Sequence, residues 1–232
     1  MFHRHTAAAC LAAATLSLAG GAHAAAITWT LGPSFGGPLG HQGILTNGTL
    51  VEATHLAGVA GQQTVIDPGG LNLTFTSIDS PHFDQFFIDP PNNIGDAGWA
   101  HVVSRFEWSL GLDVDAPGFL SGLTVGQTYQ LQLFSGRSHA NLDARTLSFG
   151  DGEGHWSTPI GMAANSFVSV VGTFVADAST QRLLFDDNTN SPTLSAYVLR
   201  EVAPVSPVPE PGSWALALAG LVAMSVCVRR RP

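Results

Sequence analysis

The stretch LTVGQTYQLQLF, residues 123–134, joins a glycine-containing turn to a run of strictly alternating residues. Successive side chains of a β-strand point to opposite faces of the sheet. From Tyr129 to Leu133 the tyrosine and both leucines therefore share one face, and the glutamines share the other. This pattern predicts a strand with one face in a hydrophobic core and the other face in solvent.

Similar runs fill the middle of the chain. Between Ala26 and Val202, short alternating or apolar segments are separated by Gly, Pro, Asn and Asp, a pattern typical of all-β domains. Asn47-Gly48 lies between two apolar pairs and predicts a β-hairpin, because both residues tolerate a positive φ. The expected strands are Ile27–Leu31, Thr49–His55, Leu71–Ser77, Thr128–Phe134, Arg145–Phe149, Phe167–Val175, Gln181–Phe185 and Leu194–Val202.

One segment has a helical period instead. Apolar residues recur at the i, i+3, i+4 and i+7 positions behind Asp96, which is a suitable N-cap. We expect a single short helix that closes one end of a sandwich core, with its apolar stripe used for packing and not for recognition. The residues of the stripe are Trp99, Val102, Val103 and Phe106.

Both ends of the chain have the composition of targeting segments. Arg4, an apolar run from Ala7 to Leu18 and Ala22-His23-Ala24 predict a secretory signal peptide at 1–24, removed by signal peptidase. Near the C-terminus, the Pro-rich segment 204–211 predicts an extended linker. The 17 uncharged residues that follow, Gly212–Val228, reach roughly 25 Å as a helix, the low end for a membrane span.

The last part of the chain resembles a known sorting signal. Pro209-Glu210-Pro211, a short apolar helix and the cluster Arg229, Arg230 and Arg231 are similar to the PEP-CTERM signal of Gram-negative bacteria. The resemblance implies recognition by an exosortase, a membrane protease, and membership of a group linked to exopolysaccharide and biofilm production. The basic cluster should stay in the cytoplasm. The protein would thus be exported, held transiently in the inner membrane by residues 212–232, and released to the cell surface or matrix.

Charge and cysteine content exclude several classes of function. The 9 Lys+Arg against 17 Asp+Glu give a formal net charge of −8, which disfavours nucleic-acid binding because phosphates are repelled. Cys10 and Cys227 fall in the two targeting segments. The domain expected between them, residues 25–203, therefore contains no disulfide, cysteine nucleophile or cysteine-ligated zinc.

The order of segments in the middle domain also resembles a known fold. Residues 46–53, 123–134, 172–174 and 194–200 are similar to phrases of galactose-binding-like or malectin-like β-sandwich modules. The resemblance implies a jelly-roll fold and, more weakly, carbohydrate binding. Since a fold does not determine a function, a purely structural surface protein remains the alternative.

Catalysis is not predicted. The sequence contains no metalloprotease helix, nucleophile elbow, phosphate-binding loop or intact calcium-binding EF-hand. A pair of acids could serve a carbohydrate-active enzyme, but pairs of acids arise by chance in so acidic a domain. We therefore predict a non-catalytic protein, with extracellular polysaccharide as its candidate ligand.

The polar loop between two predicted strands, 135–145, is the main candidate binding segment, because binding residues concentrate on such loops. Arginine and carboxylate groups can hold paired sugar hydroxyls, and a tryptophan offers an apolar face to a sugar ring. The alternative is that the arginines pair with neighbouring acids. The candidate ligand-binding residues are Arg137, His139, Asn141, Asp143, Arg145 and Trp156.

Two acidic turns leave a calcium site open, and calcium is the one cofactor considered. Asp186, Asn188 and Asn190 place oxygen atoms at alternate positions, like the start of a calcium loop, although the later positions do not fit. Asp151–Gly154 is a second oxygen-rich turn. The alternative for both is a solvated turn, in which Asp, Asn and Gly are favoured for backbone reasons.

Overall fold

The computed structural model describes residues 25–34, 40–56, 59–67, 70–78, 84–87, 95–108, 114–137, 145–162, 166–187 and 193–203. These residues form an all-β fold with a single α-helix, as predicted. The elements in chain order are β1 (Thr28–Leu31), a 3-10 helix (Gly40–Gly43), β2 (Thr49–His55), β3 (Gln63–Ile66), β4 (Leu73–Ser77), β5 (Asp84–Phe87), α1 (Ala97–Val103), β6 (Arg105–Trp108), β7 (Val114–Ser121), β8 (Thr128–Arg137), β9 (Arg145–Gly150), β10 (Ile160–Met162), β11 (Ser166–Val175), β12 (Thr180–Asp187), β13 (Thr193–Leu194) and β14 (Ala196–Glu201).

Two large sheets form the sandwich. The seven-stranded sheet has the order β1-β11-β8-β14-β2-β4-β3, and the four-stranded sheet has the order β10-β9-β12-β7. A third, small sheet contains β13, β6 and β5. Within the described residues, neighbouring strands are antiparallel except for the parallel contact between β2 and β4. The predicted jelly-roll-like sandwich is thereby confirmed.

The main core lies between the two large sheets. Leu131 and Leu133 of β8 contribute from one sheet, and Phe149 and Phe185 contribute from the other. The two phenylalanine rings meet edge to face, with centroids 5.6 Å apart. Burying a side chain of this size contributes roughly 2–3 kcal/mol, so the alternation seen in the sequence directly supplies the apolar face that holds the sheets together.

The second core lies on the outer face of the seven-stranded sheet, and this corrects the predicted position of the helix. Trp99 packs against Phe75 and Phe134, with ring centroids 5.9 and 5.1 Å apart. Because Phe134 and Val198 make this face apolar as well, it requires a cover, and α1 supplies one instead of closing an end of the sandwich. Trp99, Val102 and Val103 are buried, so the predicted packing role is confirmed for them.

The start of α1 follows from local sequence, but its end does not. The Asp96 side chain accepts a hydrogen bond from the Trp99 amide at 2.6 Å, which is the predicted N-cap. The helix ends at Val103, and Phe106 belongs to β6. The prediction that Phe106 is the fourth residue of the helical stripe is therefore wrong. A spacing of 3.6 residues per turn identifies a helix but does not show where it ends and a strand begins.

The expectation that both glutamines of β8 face solvent is wrong for Gln132. Its side chain is buried, donates to the Gly43 carbonyl at 2.7 Å and accepts from the Leu45 amide at 2.8 Å. The segment after the 3-10 helix lies over this part of the sheet. An amide that satisfies two peptide groups is compatible with burial.

The predicted Asn47-Gly48 hairpin is also wrong, although the turn residue is correct. Gly48 has a φ of +83°, but a 3-10 helix and not a strand precedes β2. The polar groups of Leu45 bind side chains: its amide binds Gln132, and its carbonyl accepts from Arg200 Nε at 2.8 Å. No partner strand is needed to satisfy them.

Five strands were missed, and several boundaries differ. β3, β5, β6 and β10 are too short to show a period, and β7 contains Pro117-Gly118. Proline is tolerated in β7 because that strand lies at a sheet edge. β8 extends to Arg137, so the predicted 135–145 loop begins later, and the last predicted strand divides at Ser195 into β13 and β14.

Within the described ranges, no helix has the length and apolar character that crossing a membrane requires. The predicted signal peptide, the Pro-rich linker and the tail helix lie outside the residues that the structure describes.

Replacing Gly48 by alanine is expected to destabilise the domain by about 2–3 kcal/mol, because the new side chain is strained at positive φ and overlaps the Glu201 carbonyl oxygen. Gly126 has a similar φ of +85°, but an added Cβ meets nothing within 4 Å. Gly126→Ala therefore measures the conformational strain alone, about 1 kcal/mol. If Gly48→Ala and Gly126→Ala lower the free energy of unfolding in urea by the same amount, the predicted overlap at Gly48 is contradicted.

Candidate functional site

The strand register defines two ends of the sandwich. β14 pairs antiparallel with β8, with Glu201 opposite Tyr129, and the Val202 amide donates to the Thr128 carbonyl at 3.0 Å. The chain therefore leaves the sheet beside the first residue of β8. Arg137, nine residues along the same strand, lies roughly 30 Å away at a rise of about 3.3 Å per residue. We call these the tail-side end (Thr128) and the far end (Arg137).

The N-terminal segment also begins at the tail-side end. Thr180 and Gln181 start β12 there, whereas Asp187 ends β12 at the far end. The buried Gln181 amide accepts from the Ala25 amide at 3.0 Å and donates to the Ala25 carbonyl at 3.1 Å. The first described residue, Ala25, and the end of the last strand therefore lie at the same end of the sandwich.

Both segments singled out in the sequence connect strands at the far end. β8 ends there at Arg137 and β9 begins there at Arg145, so the intervening residues 138–144 join two far-end positions. β12 ends there at Asp187, where the acidic segment continues. Among the predicted ligands, His139, Asn141, Asp143, Asn188 and Asn190 lie outside the described residues.

Arg145 forms an ion pair at the base of these loops. Its Nη1 lies 3.6 Å from Asp187 Oδ2, and the side chains are 19% and 2% exposed. Asp187 faces the core with Leu183 and Phe185, whereas Asp186 points to the opposite face of β12. Arg145 is thus engaged with a neighbouring acid, the arrangement that the sequence left open as the alternative to ligand binding.

Trp156 lies at the other end of β9. It pairs with Gly150 through an isolated bridge, and its indole covers the position where a Cβ of that glycine would lie. Five residues of strand separate Gly150 from Arg145, about 17 Å. Trp156 is 41% exposed and offers an apolar face, but the structure does not bring it together with Arg145.

The Asp151–Gly154 turn is held together by the side chain of its first residue, although Glu153 and Gly154 are exposed to solvent. The buried Asp151 carboxylate accepts hydrogen bonds from the Ile27, Glu153 and His155 amides and lies 2.7 Å from His155 Nδ1. Burial alone would raise the pKa of Asp151, but the hydrogen bonds outweigh it and hold the pKa below its ordinary value. Four donors occupy the two oxygens, so this turn fixes the N-terminal segment to the sandwich.

No group of three potential metal ligands occurs among the described residues. The calcium hypothesis for Asp186, Asn188 and Asn190 remains a prediction, because only the aspartate is described.

A groove on the flank of the sandwich was not predicted from the sequence. It has a volume of about 440 Å³ and lies between β1, at the edge of the seven-stranded sheet, and β10, at the edge of the four-stranded sheet. Trp29 and Leu31 line one side, and residues 157–161 line the other. The sequence pattern of residues 28–31 predicts a strand and nothing more. It does not indicate that this strand forms a cavity with residues some 130 positions away in the sequence.

Comparisons with known proteins add one confirmed element. Residues 207–231 match the PEP-CTERM protein-sorting motif, as the terminal residues predicted. This motif marks the chain as an exported protein that an exosortase processes. No curated protein matches the chain.

Among solved structures, the chain is similar to the EclA C-terminal domain, a sugar-binding protein. The identity is 24%, the TM-score is 0.31, and the match covers 38% of this chain. The chain spans 65% of that structure, less than two thirds of its length.

Proposed function

We propose that the protein is a non-catalytic carbohydrate-binding module, exported across the inner membrane of a Gram-negative bacterium and associated with extracellular polysaccharide. The observation that supports this most directly is the separation of the two ends. The chain continues toward the sorting motif from the tail-side end, whereas Arg137, where β8 ends before the 138–144 segment, lies about 30 Å away. While the tail is in the membrane, the far end is the part of the sandwich most distant from the point where the chain leaves toward the tail.

The chemistry of the far end fits this role. The 137–145 segment contains arginine, asparagine and aspartate, which form paired hydrogen bonds with vicinal hydroxyls. The Arg145–Asp187 ion pair joins the strands from which the loops leave, and it gives them a fixed base. Arg145 then positions the loop, and contact with the ligand falls to Arg137 and Asp143.

A glycan array probed with the full chain in detergent tests the proposal. We expect a specific signal from neutral or acidic polysaccharide fragments that falls by about tenfold or more in Arg137→Ala and Asp143→Ala, since each removes charge-assisted hydrogen bonds. Asp177→Ala, at the tail-side end, is the matched control and should leave binding unchanged. A blank array would favour a purely structural surface protein.

Sorting is tested by mass spectrometry of the native protein. We expect a product that lacks residues 1–24 and ends close to Pro209-Glu210-Pro211. Replacing these three residues by alanine should keep the tail attached and the protein in the membrane fraction, because the exosortase loses its recognition site. Ser206→Ala in the same linker is the control, and an unchanged product from the triple variant would contradict the proposed processing.

A further inference from the structure

The flank groove differs in character from the far-end loops. None of its lining residues, in 29–31, 157–161 and at position 170, has an ionisable side chain. A site without charges selects a neutral ligand, because a charged one would lose hydration with no partner in return. The volume of about 440 Å³ lies within the range of small-molecule sites, roughly 300–1,000 Å³.

The indole of Trp29 is held in place without a ligand. Its Nε1 donates to the His155 carbonyl at 3.2 Å, and its ring centroid lies 6.2 Å from that of Phe149. The ring also rests on Gly172, where an added Cβ would come within 2.8 Å of it. The polar atom of the indole is therefore occupied, and the part of the ring that reaches the groove is an apolar surface of fixed orientation.

Polar groups lie beside this apolar surface. The Gly32 amide donates to Ser169 of β11, and in an antiparallel pair the peptide groups of alternate residues point to the same side. Trp29 and Leu31 therefore direct their peptide groups away from β11. The amide of Ile27, two residues before Trp29, points the same way and donates to Asp151. Thr158, which is exposed, adds a hydroxyl from the opposite wall.

Leu31 shows that the flank is uncovered within the described part of the chain. It lies on the same face of β1 as Trp29, yet it is 73% exposed because the four-stranded sheet ends at β10. An aliphatic side chain, a fixed indole and peptide groups thus line one short groove.

We propose that this groove is a second carbohydrate site, which binds a neutral saccharide with the apolar face of one ring against Trp29 and Leu31. The hydroxyls at the ring edge bind the outward peptide groups of β1 and the Thr158 hydroxyl. A sugar combines an apolar face with a polar edge, which is the combination that this groove offers. The inference rests on the proposed carbohydrate-binding function, and it adds a site of different charge preference on a different part of the sandwich.

The test measures binding of short gluco-, galacto- and manno-oligosaccharides to the full chain in detergent. Leu31→Glu and Trp29→Ala are expected to weaken binding of a neutral oligosaccharide on the order of tenfold, the loss of one aromatic or apolar contact. Trp29→Phe should restore part of it. Val125→Glu is the matched control for Leu31→Glu, because Val125 is also an exposed aliphatic residue (63%) but lies in the turn at the tail-side end.

The outcomes separate this site from the far-end site. If Leu31→Glu abolishes binding of neutral sugars but leaves the melting temperature unchanged, the result supports a saccharide site in the groove. Binding lost only in Arg137→Ala and Asp143→Ala overturns the groove and leaves the proposed function intact, whereas a blank array overturns both. Self-association of the chain that Leu31→Glu abolishes, without saccharide binding, also overturns the proposal and assigns this flank to pairing of two copies.

Discussion

Replacing Trp99 by alanine is expected to lower the free energy of unfolding by about 3–5 kcal/mol, as for other large buried aromatic residues. Trp99 is fully buried and contacts both Phe75 and Phe134, so the substitution leaves a cavity between α1 and the sheet. The loss equals a large fraction of the stability of a typical domain. Guanidinium denaturation followed by circular dichroism measures it.

Two controls define the origin of that loss. Val175→Ala truncates an exposed side chain and should change stability by no more than about 0.5 kcal/mol. Asp96→Ala removes the N-cap of the same helix without opening a cavity and should cost about 1 kcal/mol. If Trp99→Ala costs no more than Asp96→Ala, the outer-face core contributes little and the helix is only loosely attached.

Replacing Asp151 by alanine is expected to cost about 3–5 kcal/mol, the range for removing one partner from a buried, charged hydrogen-bond network. The substitution leaves the amides of Ile27, Glu153 and His155 without their acceptor. Asp151→Asn keeps one carbonyl oxygen and should cost less. Asp177→Ala, which truncates an exposed aspartate at the tail-side end, is the control and should change stability by no more than about 0.5 kcal/mol.

The stability that Asp151 contributes should depend on pH. Since its pKa is lowered on folding, the carboxylate stabilises the folded state fully above its ordinary pKa of 3.8. As the pH falls through that value and then through the lower folded-state pKa, the contribution is lost. The stability difference between the wild type and Asp151→Asn should therefore shrink as the pH falls below about 4. A difference that stays constant into that acid range would contradict the network.

Local patterns determined much of the fold. The alternation around Leu131 and the Asp96 cap each depend on residues close together in sequence, and the structure reproduces the strand and the helix start that they predict. The position of α1 depends instead on which sheet face needs covering. That in turn depends on Phe134 and Val198, which belong to strands distant in the sequence.

The candidate sites show the same division between local and distant information. The sequence predicts correctly that a strand begins at Arg145, but the partner of this residue, Asp187, comes from another strand and depends on sheet register. Gln132 reads as a surface residue until the segment carrying Gly43 is placed over it. The groove beside Trp29 depends on two sheet edges meeting, and sheets of unequal strand number leave no signature in either segment.

The attachment of Ala25 to Gln181 at the tail-side end has a practical consequence for engineering. Because the first and last parts of the sandwich emerge at one end, the domain can be inserted into a surface loop of a carrier protein, with both junctions on the carrier side. The far end, where β8 ends at Arg137 and β9 begins at Arg145, then lies opposite the carrier, so the sequence between these two residues can be randomised for selection of new binders. The groove beside Leu31 would remain accessible from the side, so such a fusion could carry two independently tunable binding surfaces.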